Sequence, residues 1–107
     1  MIVIDYILNS PVLTNWGSYK FWRYENDLNA LDVTNAVSAI GHFSTAEFLT
    51  QLLGIQVKLN RIEVRMDIGQ KALVFILMGE RSFEEKDLLL EEIDQRKYKL
   101  GILERVD

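Results

Sequence analysis

The chain has 107 residues, 49% hydrophobic and 26% charged, with 12 Lys plus Arg against 16 Asp plus Glu for a formal charge of −4, a composition that fits one globular domain with a real core and excludes a disordered polymer. It has no cysteine and one histidine, which excludes disulfide scaffolds, thiolate metal sites and cysteine nucleophiles and leaves too few ligands for an all-protein zinc site, so neither metal nor cofactor is expected. No apolar run approaches the roughly 20 residues that span a bilayer, the opening Met1-Ile2-Val3-Ile4-Asp5 lacks the basic start of a signal peptide, and the acidic balance argues against duplex DNA; the expectation is a cytoplasmic protein, off the membrane, whose nucleic-acid ligand would be small and locally recognised.

Apolar Ile2 to Leu8 predicts a first strand, ended at Asn9-Ser10-Pro11 because proline lacks a donor and turns its predecessor away from helix. Thr14-Asn15-Trp16-Gly17 reads as a turn, and aromatic Tyr19 to Tyr24 as a second strand. Asn26-Asp27 offers a cap for a weak helical spacing through Leu28, Leu31 and Asn35 to Val37. Ser44-Thr45-Ala46-Glu47 fits a capping box, with Ser44 at the cap and Glu47 three residues on. Phe48, Leu49, Leu52 and Leu53 then give one apolar face, and Gly54 is placed to end that helix in a left-handed conformation.

Arg61 to Met66 alternates strictly, predicting a strand with Ile62, Val64 and Met66 inward and Arg61, Glu63 and Arg65 outward. Asp67 to Gln70 turns the chain. Ala72 to Met78 is apolar without interruption, as a strand buried on both faces would be, and Gly79 ends it. After polar Arg81 to Lys86, Leu88 to Ile93 predicts a short helix and Tyr98 to Val106 a last strand. The order β-β-α-α-β-β-α-β specifies an α/β fold: a single domain over residues 1–107, with a mixed sheet of about five strands flanked by helices.

Chemistry has few carriers. His42 precedes the capped helix, and imidazole is the side chain that ordinarily changes charge between about pH 5 and 8. Backbone N–H groups at a helix start attract anions, so an imidazole there is placed to hand a proton to a phosphate-ester leaving group; a boundary histidine without that role is the commoner case. Gly41 offers either backbone room for a ligand or a simple turn. Arg61 and Arg65 on one strand face, with Arg81 after the central strand, have the chemistry of phosphate clamps, although solvated surface arginines are commoner and the Arg61-Glu63-Arg65 ladder is worth only about 0–1 kcal/mol per exposed pair. Glu84 and Glu85 lack a spaced carboxylate partner and suit a helix start. Trp16, Tyr19, Phe21 and Trp22 have the aromatic character to stack on bases, with core packing the more ordinary use. No dinucleotide-binding glycine motif, Walker loop or nucleophile elbow is present.

Taken together, Tyr6 to Thr14, Ser38-Ala39-Ile40-Gly41-His42-Phe43-Ser44-Thr45, Leu59-Asn60-Arg61-Ile62-Glu63-Val64 and Ala72-Leu73-Val74-Phe75 resemble the viral anti-CRISPR ring nuclease family. The resemblance covers residues 38 to 107 well, 6 to 17 moderately and 18 to 37 poorly. It implies a small α/β homodimer that binds cyclic tetra-adenylate, the second messenger of type III CRISPR defence, and cuts it to linear di-adenylates without metal. Carried over by matching motif, His42 would be the general acid, Arg81 would stabilise charge at the scissile phosphate and Glu84 would support that constellation. Arg61, Gly41, Ser44 and Thr45 would hold the ligand, with Asn9 and Ser10 lining the pocket. One departure stands out: Arg81-Ser82-Phe83-Glu84-Glu85-Lys86 carries Glu85 where the family usually has glycine. That substitution motivates an alternative, a protein that sequesters the cyclic nucleotide without cutting it; a third reading is a protein-interaction module using an exposed edge or the aromatic cluster.

Overall fold

The computed structural model describes residues 1–10, 15–77 and 98–107. The uninterrupted apolar run becomes β6 (Lys71–Leu77), and it lies in the middle of a five-stranded mixed sheet ordered β3-β7-β6-β2-β5. Its antiparallel neighbour is β7 (Tyr98–Arg105), which pairs in turn with β3 (Tyr19–Arg23). On the other side β2 (Tyr6–Leu8) and β5 (Val37–Ala39) run parallel to β6, with Leu8 in register with both Val74 and Ala39.

Alternation along the central strands feeds two apolar layers. Ile7, Leu73, Phe75, Leu100 and Ile102 pack on one face against Ala46 and Leu49 of α1 (Phe43–Leu53). Leu8, Ala72, Val74 and Leu103 pack on the other against Val64 and Met66. Phe48 of α1 meets the rings of Phe75 and Tyr98 at 5.8 and 5.1 Å, geometry typical of aromatic clusters. Gly101 of β7 is required by close approach, since a Cβ there would lie 2.6 Å from the Phe21 ring. Gly54 ends α1 with φ of 72°, the left-handed cap that its position predicts.

Several expectations are corrected. The first strand is split: β1 (Ile2–Val3) pairs in parallel with β4 (Leu31–Asp32), and the chain is then pinned at Asp5, whose carboxylate accepts the Lys71 N–H at 2.9 Å, before β2 begins. Asp27 does cap, accepting the Asn29 N–H, but only for one 3₁₀ turn, Leu28–Ala30. Beyond it the chain extends into β4 and β5, because the helical spacing there is too weak to compete with strand pairing.

Arg61 to Met66 forms no strand. It crosses the second sheet face as an extended segment in which Val64 and Met66 are buried while Ile62 is 45% exposed. Side chains take the place of a ladder: Asn15 Nδ2 donates to the Met66 carbonyl at 2.9 Å, Arg105 donates to the same oxygen at 2.7 Å, and the Met66 N–H donates back to Asn15 Oδ1. Alternating hydrophobicity reports a two-sided environment, and among the described residues this one is met without β pairing. Of the N-terminal aromatics, Tyr19 packs partly buried against the second apolar layer, whereas Trp16 is 95% exposed and Phe21 and Trp22 lie on the exposed edge strand β3. Among the described residues α1 is the one α-helix; the helix expected over Leu88 to Ile93 falls outside them.

Candidate functional site

Parallel strands that end together release their following loops on one edge of a sheet, where open α/β folds bind ligands. β2 ends at Leu8, beside Ala39 at the end of β5. Asn9-Ser10 and Ile40-Gly41-His42 therefore leave the sheet side by side. β6, parallel to β2, has its carboxyl end on that edge too.

Helix α1 starts here in a way the capping-box pattern does not anticipate. Its N-cap is His42, in extended conformation (φ −126°, ψ 130°), and no side chain caps it. Ser44, expected at the cap, lies inside the first turn and is 4% exposed, with a buried hydroxyl that has no hydrogen-bond partner among the described residues. Glu47 is exposed. The helix starts two residues early because the chain turns directly from the extended Gly41-His42 pair, and the first backbone bond runs from the Ala46 N–H to the His42 carbonyl at 3.1 Å. The N–H groups of Phe43, Ser44 and Thr45 consequently have no acceptor among the described residues. Such a cluster of free donors, on the positive end of an 11-residue helix, is an anion site in waiting.

Arg61 joins the same place. Its Nε donates to the Gly41 carbonyl at 2.9 Å, which leaves the two terminal amines of the guanidinium for a ligand. Among the described residues the ion pairs are Arg23–Glu25 at 3.1 Å and Lys71–Glu104 at 3.6 Å, so no carboxylate there neutralises Arg61 or nearby Lys58. Gly41 has no left-handed φ, and a Cβ on it would make only ordinary contact with Arg61 at 3.7 Å. The fold does not demand a glycine at that position; its bare surface beside His42 and Arg61 is room.

Residues 5–100 match the STIV B116-like family. The chain belongs to that family. It is 30% identical over 107 aligned residues to an uncharacterized protein of Sulfolobus islandicus filamentous virus (isolate Iceland/Hveragerdi), covering 94% of this chain and 91% of the viral protein. It is 38% identical over 105 residues to the uncharacterized protein YddF of Bacillus subtilis (strain 168), with 94% and 95% covered. A protein of Acidianus filamentous virus 1 is 35% identical over 95 residues, with 83% and 81% covered. Relatives of this chain thus occur in archaeal viruses and in a bacterium.

Within this STIV B116-like chain, the sequence-derived residues Asn9, Ser10, Gly41, His42, Ser44, Thr45 and Arg61 come together around the start of α1 and the ends of the parallel strands. Arg81, Glu84 and the divergent Glu85 lie outside the described residues. Arg65, read as sharing a face with Arg61, is exposed on a segment that is not a strand, and its pairing with Arg61 on a pleat is not formed. Two residues carry structure at the site that the sequence reading assigned no role: Ser38, whose hydroxyl donates to the Lys58 carbonyl at 2.6 Å, and Asn60, whose amide donates to the Ser38 carbonyl at 2.7 Å. The signal available was Asn60 beside an arginine of interest, in a stretch with no ladder of its own. No described group of three or more metal-ligating side chains is present, and no described helix is long and apolar enough to cross a membrane.

Proposed function

We propose that this chain is a metal-independent ring nuclease that binds cyclic tetra-adenylate and cuts it to linear di-adenylates, antagonising type III CRISPR signalling. The observation that carries the proposal is the juxtaposition at one sheet edge of an imidazole at the helix start with three backbone donors, a buried hydroxyl and a guanidinium that have, among the described residues, no acceptor, no hydrogen-bond partner and no carboxylate respectively. Those are the groups a phosphodiester needs for binding and for departure of an alkoxide. Family members in archaeal viruses support the biological setting.

The chemistry asks little of the protein. A ribose 2′-oxygen attacks the adjacent phosphorus, its proton passing to water, and the bond from phosphorus to the 5′-oxygen breaks. His42, as imidazolium, gives its proton to the leaving 5′-oxygen, and the product ends in a 2′,3′-cyclic phosphate. Alignment of the three reacting atoms is the main contribution, charge on the phosphoryl oxygens is met by Arg81 with Glu84 in support, and general acid catalysis adds about 10²–10⁴-fold. Gly41, Ser44, Thr45, Arg61, Asn9 and Ser10 hold the ring. A two-fold homodimer presents two such sites to one symmetric ligand, and the exposed apolar side chains beside the site, Val37 (44%), Phe43 (52%), Leu59 (47%) and Ile62 (45%), supply the kind of surface that a second copy covers.

Thermal-shift titration with cyclic oligoadenylates of several ring sizes, followed by chromatography of the nucleotide and light scattering of the protein, tests each part. Cyclic tetra-adenylate at about a hundredfold excess over Kd is expected to add about 2.7 kcal/mol of stability, to disappear into linear products, and to bind a dimer. Stabilisation without products supports the sequestering protein that Glu85 motivates. No stabilisation by any ring overturns the reading and favours a protein-interaction module.

A further inference from the structure

Asn60 and Arg61 hold three carbonyls of the segment leading into His42. Asn60 Nδ2 donates to the Ser38 carbonyl at 2.7 Å, the Asn60 backbone N–H donates to the Ile40 carbonyl at 2.8 Å, and Arg61 Nε donates to the Gly41 carbonyl at 2.9 Å. A fourth bond, from the Ser38 hydroxyl to the Lys58 carbonyl at 2.6 Å, and a parallel bridge between Ile40 and Leu59 lock the same register. Because peptide units are planar, holding the carbonyls of the two peptides that flank a residue restrains the φ and ψ between them. The peptide preceding His42 is held by Arg61, and the one following it by the Ala46 N–H at 3.1 Å. The direction in which the imidazole leaves the backbone is therefore restrained on one side by Arg61, some twenty positions away, and on the other by the first bond of α1, while no side-chain bond caps the helix at this point.

We infer that Asn60 is a positioning residue for His42: it sets the register of the 58–61 segment against β5, and through that register the placement of the acid. The inference rests on the ring-nuclease reading for its kinetic consequence, but its structural half stands without ligand. Asn60 itself touches the Ser38 backbone and is partly buried, so its role is separable from that of the exposed Arg61, which is placed to contact the phosphates directly. A misplacement of about 1 Å can cost on the order of 10²-fold in rate while leaving affinity nearly intact.

The test uses the full chain with Asn60→Asp, which keeps the shape and loses the donor, and Asn60→Ala. His42 is the single histidine, so its ring gives one set of NMR signals that reports placement in the free protein. Both variants are expected to shift or broaden those signals, and to lower the single-turnover rate on saturating cyclic tetra-adenylate by about 10–10²-fold, with Kd changed less than about threefold. Imidazole signals identical to wild type, or losses of rate and affinity in equal proportion, overturn the inference. Should either variant fail to fold, Ser38→Ala loosens the same register through a different bond and is held to the same outcomes. If the wild-type protein leaves the nucleotide uncut, the nuclease reading fails by itself, and the NMR comparison alone decides the positioning of His42.

Discussion

β6 meets two unlike neighbours. With β7 it forms seven consecutive residue pairs, and β7 extends five more to β3. With β2 it forms three, and β2 three more with β5. In the antiparallel half β7 is paired on both sides and, with β6, buries side chains on both faces, leaving β3 as the exposed edge. The parallel half stops early, releases polar loops at one edge, and relies on Ser38, Asn60 and Arg61 side chains for hydrogen bonds that a longer ladder would have supplied. Under the proposed function chemistry belongs to the parallel edge, while β6 and β7 form the longest ladder, so substitutions in the two halves should have different signatures.

The largest effect expected is on chemistry. His42→Ala should lose about 10²–10⁴-fold in single-turnover cleavage, with the unfolding transition close to wild type, because the His42 side chain makes no capping bond. Next comes the antiparallel half: Ile102→Ala removes a fully buried side chain from β7 and should cost about 2–5 kcal/mol in denaturant unfolding, with the rate on bound ligand little changed in the folded fraction. If Ile102→Ala slows chemistry as much as it lowers stability, the two halves are not separable.

How much of this division was legible in the sequence depends on what encodes it. β6 and β7 were legible because unbroken or alternating apolar residues report burial directly, and the end of α1 because Gly54 alone fits its left-handed cap. The 61–66 segment was not, since among the described residues its alternation goes with burial of Val64 and Met66 and an Asn15 and Arg105 clamp on Met66, without a strand. The helix start was misplaced by two residues, because a capping box is a local pattern and the turn out of β5 is set by contacts some twenty residues away. At the site, His42 and Gly41 beside a helix start were readable; the bond from Arg61 to Gly41 is non-local and was not.

Arg61 sharpens the comparison further. Arg61→Ala should weaken cyclic tetra-adenylate binding by about 10–10²-fold, the loss of a charge-assisted hydrogen bond, measured by calorimetry. Arg81→Ala should mainly slow cleavage, because contacts made only in the transition state change rate and not affinity. Equal losses of affinity in both variants would show that the roles are misassigned.

The smallest effect is a pH dependence confined to the stable half. Burial raises the Tyr98 hydroxyl above its ordinary 10.0. The unfolded chain gives up that proton first, so above about pH 10 the native state binds more protons and stability falls as pH rises. Tyr98→Phe should remove that part of the alkaline loss in unfolding experiments, without altering cleavage at neutral pH.

The proposed phosphodiester cleavage at the parallel edge uses protein groups alone. Its most direct test is incubation of purified protein with cyclic tetra-adenylate in excess chelator, with mass spectrometry of the products alongside His42→Ala. Linear di-adenylate ending in 2′,3′-cyclic phosphate, formed by wild type and almost absent with the variant, is the predicted result; intact ring with wild type, or equal cleavage by both proteins, would contradict it.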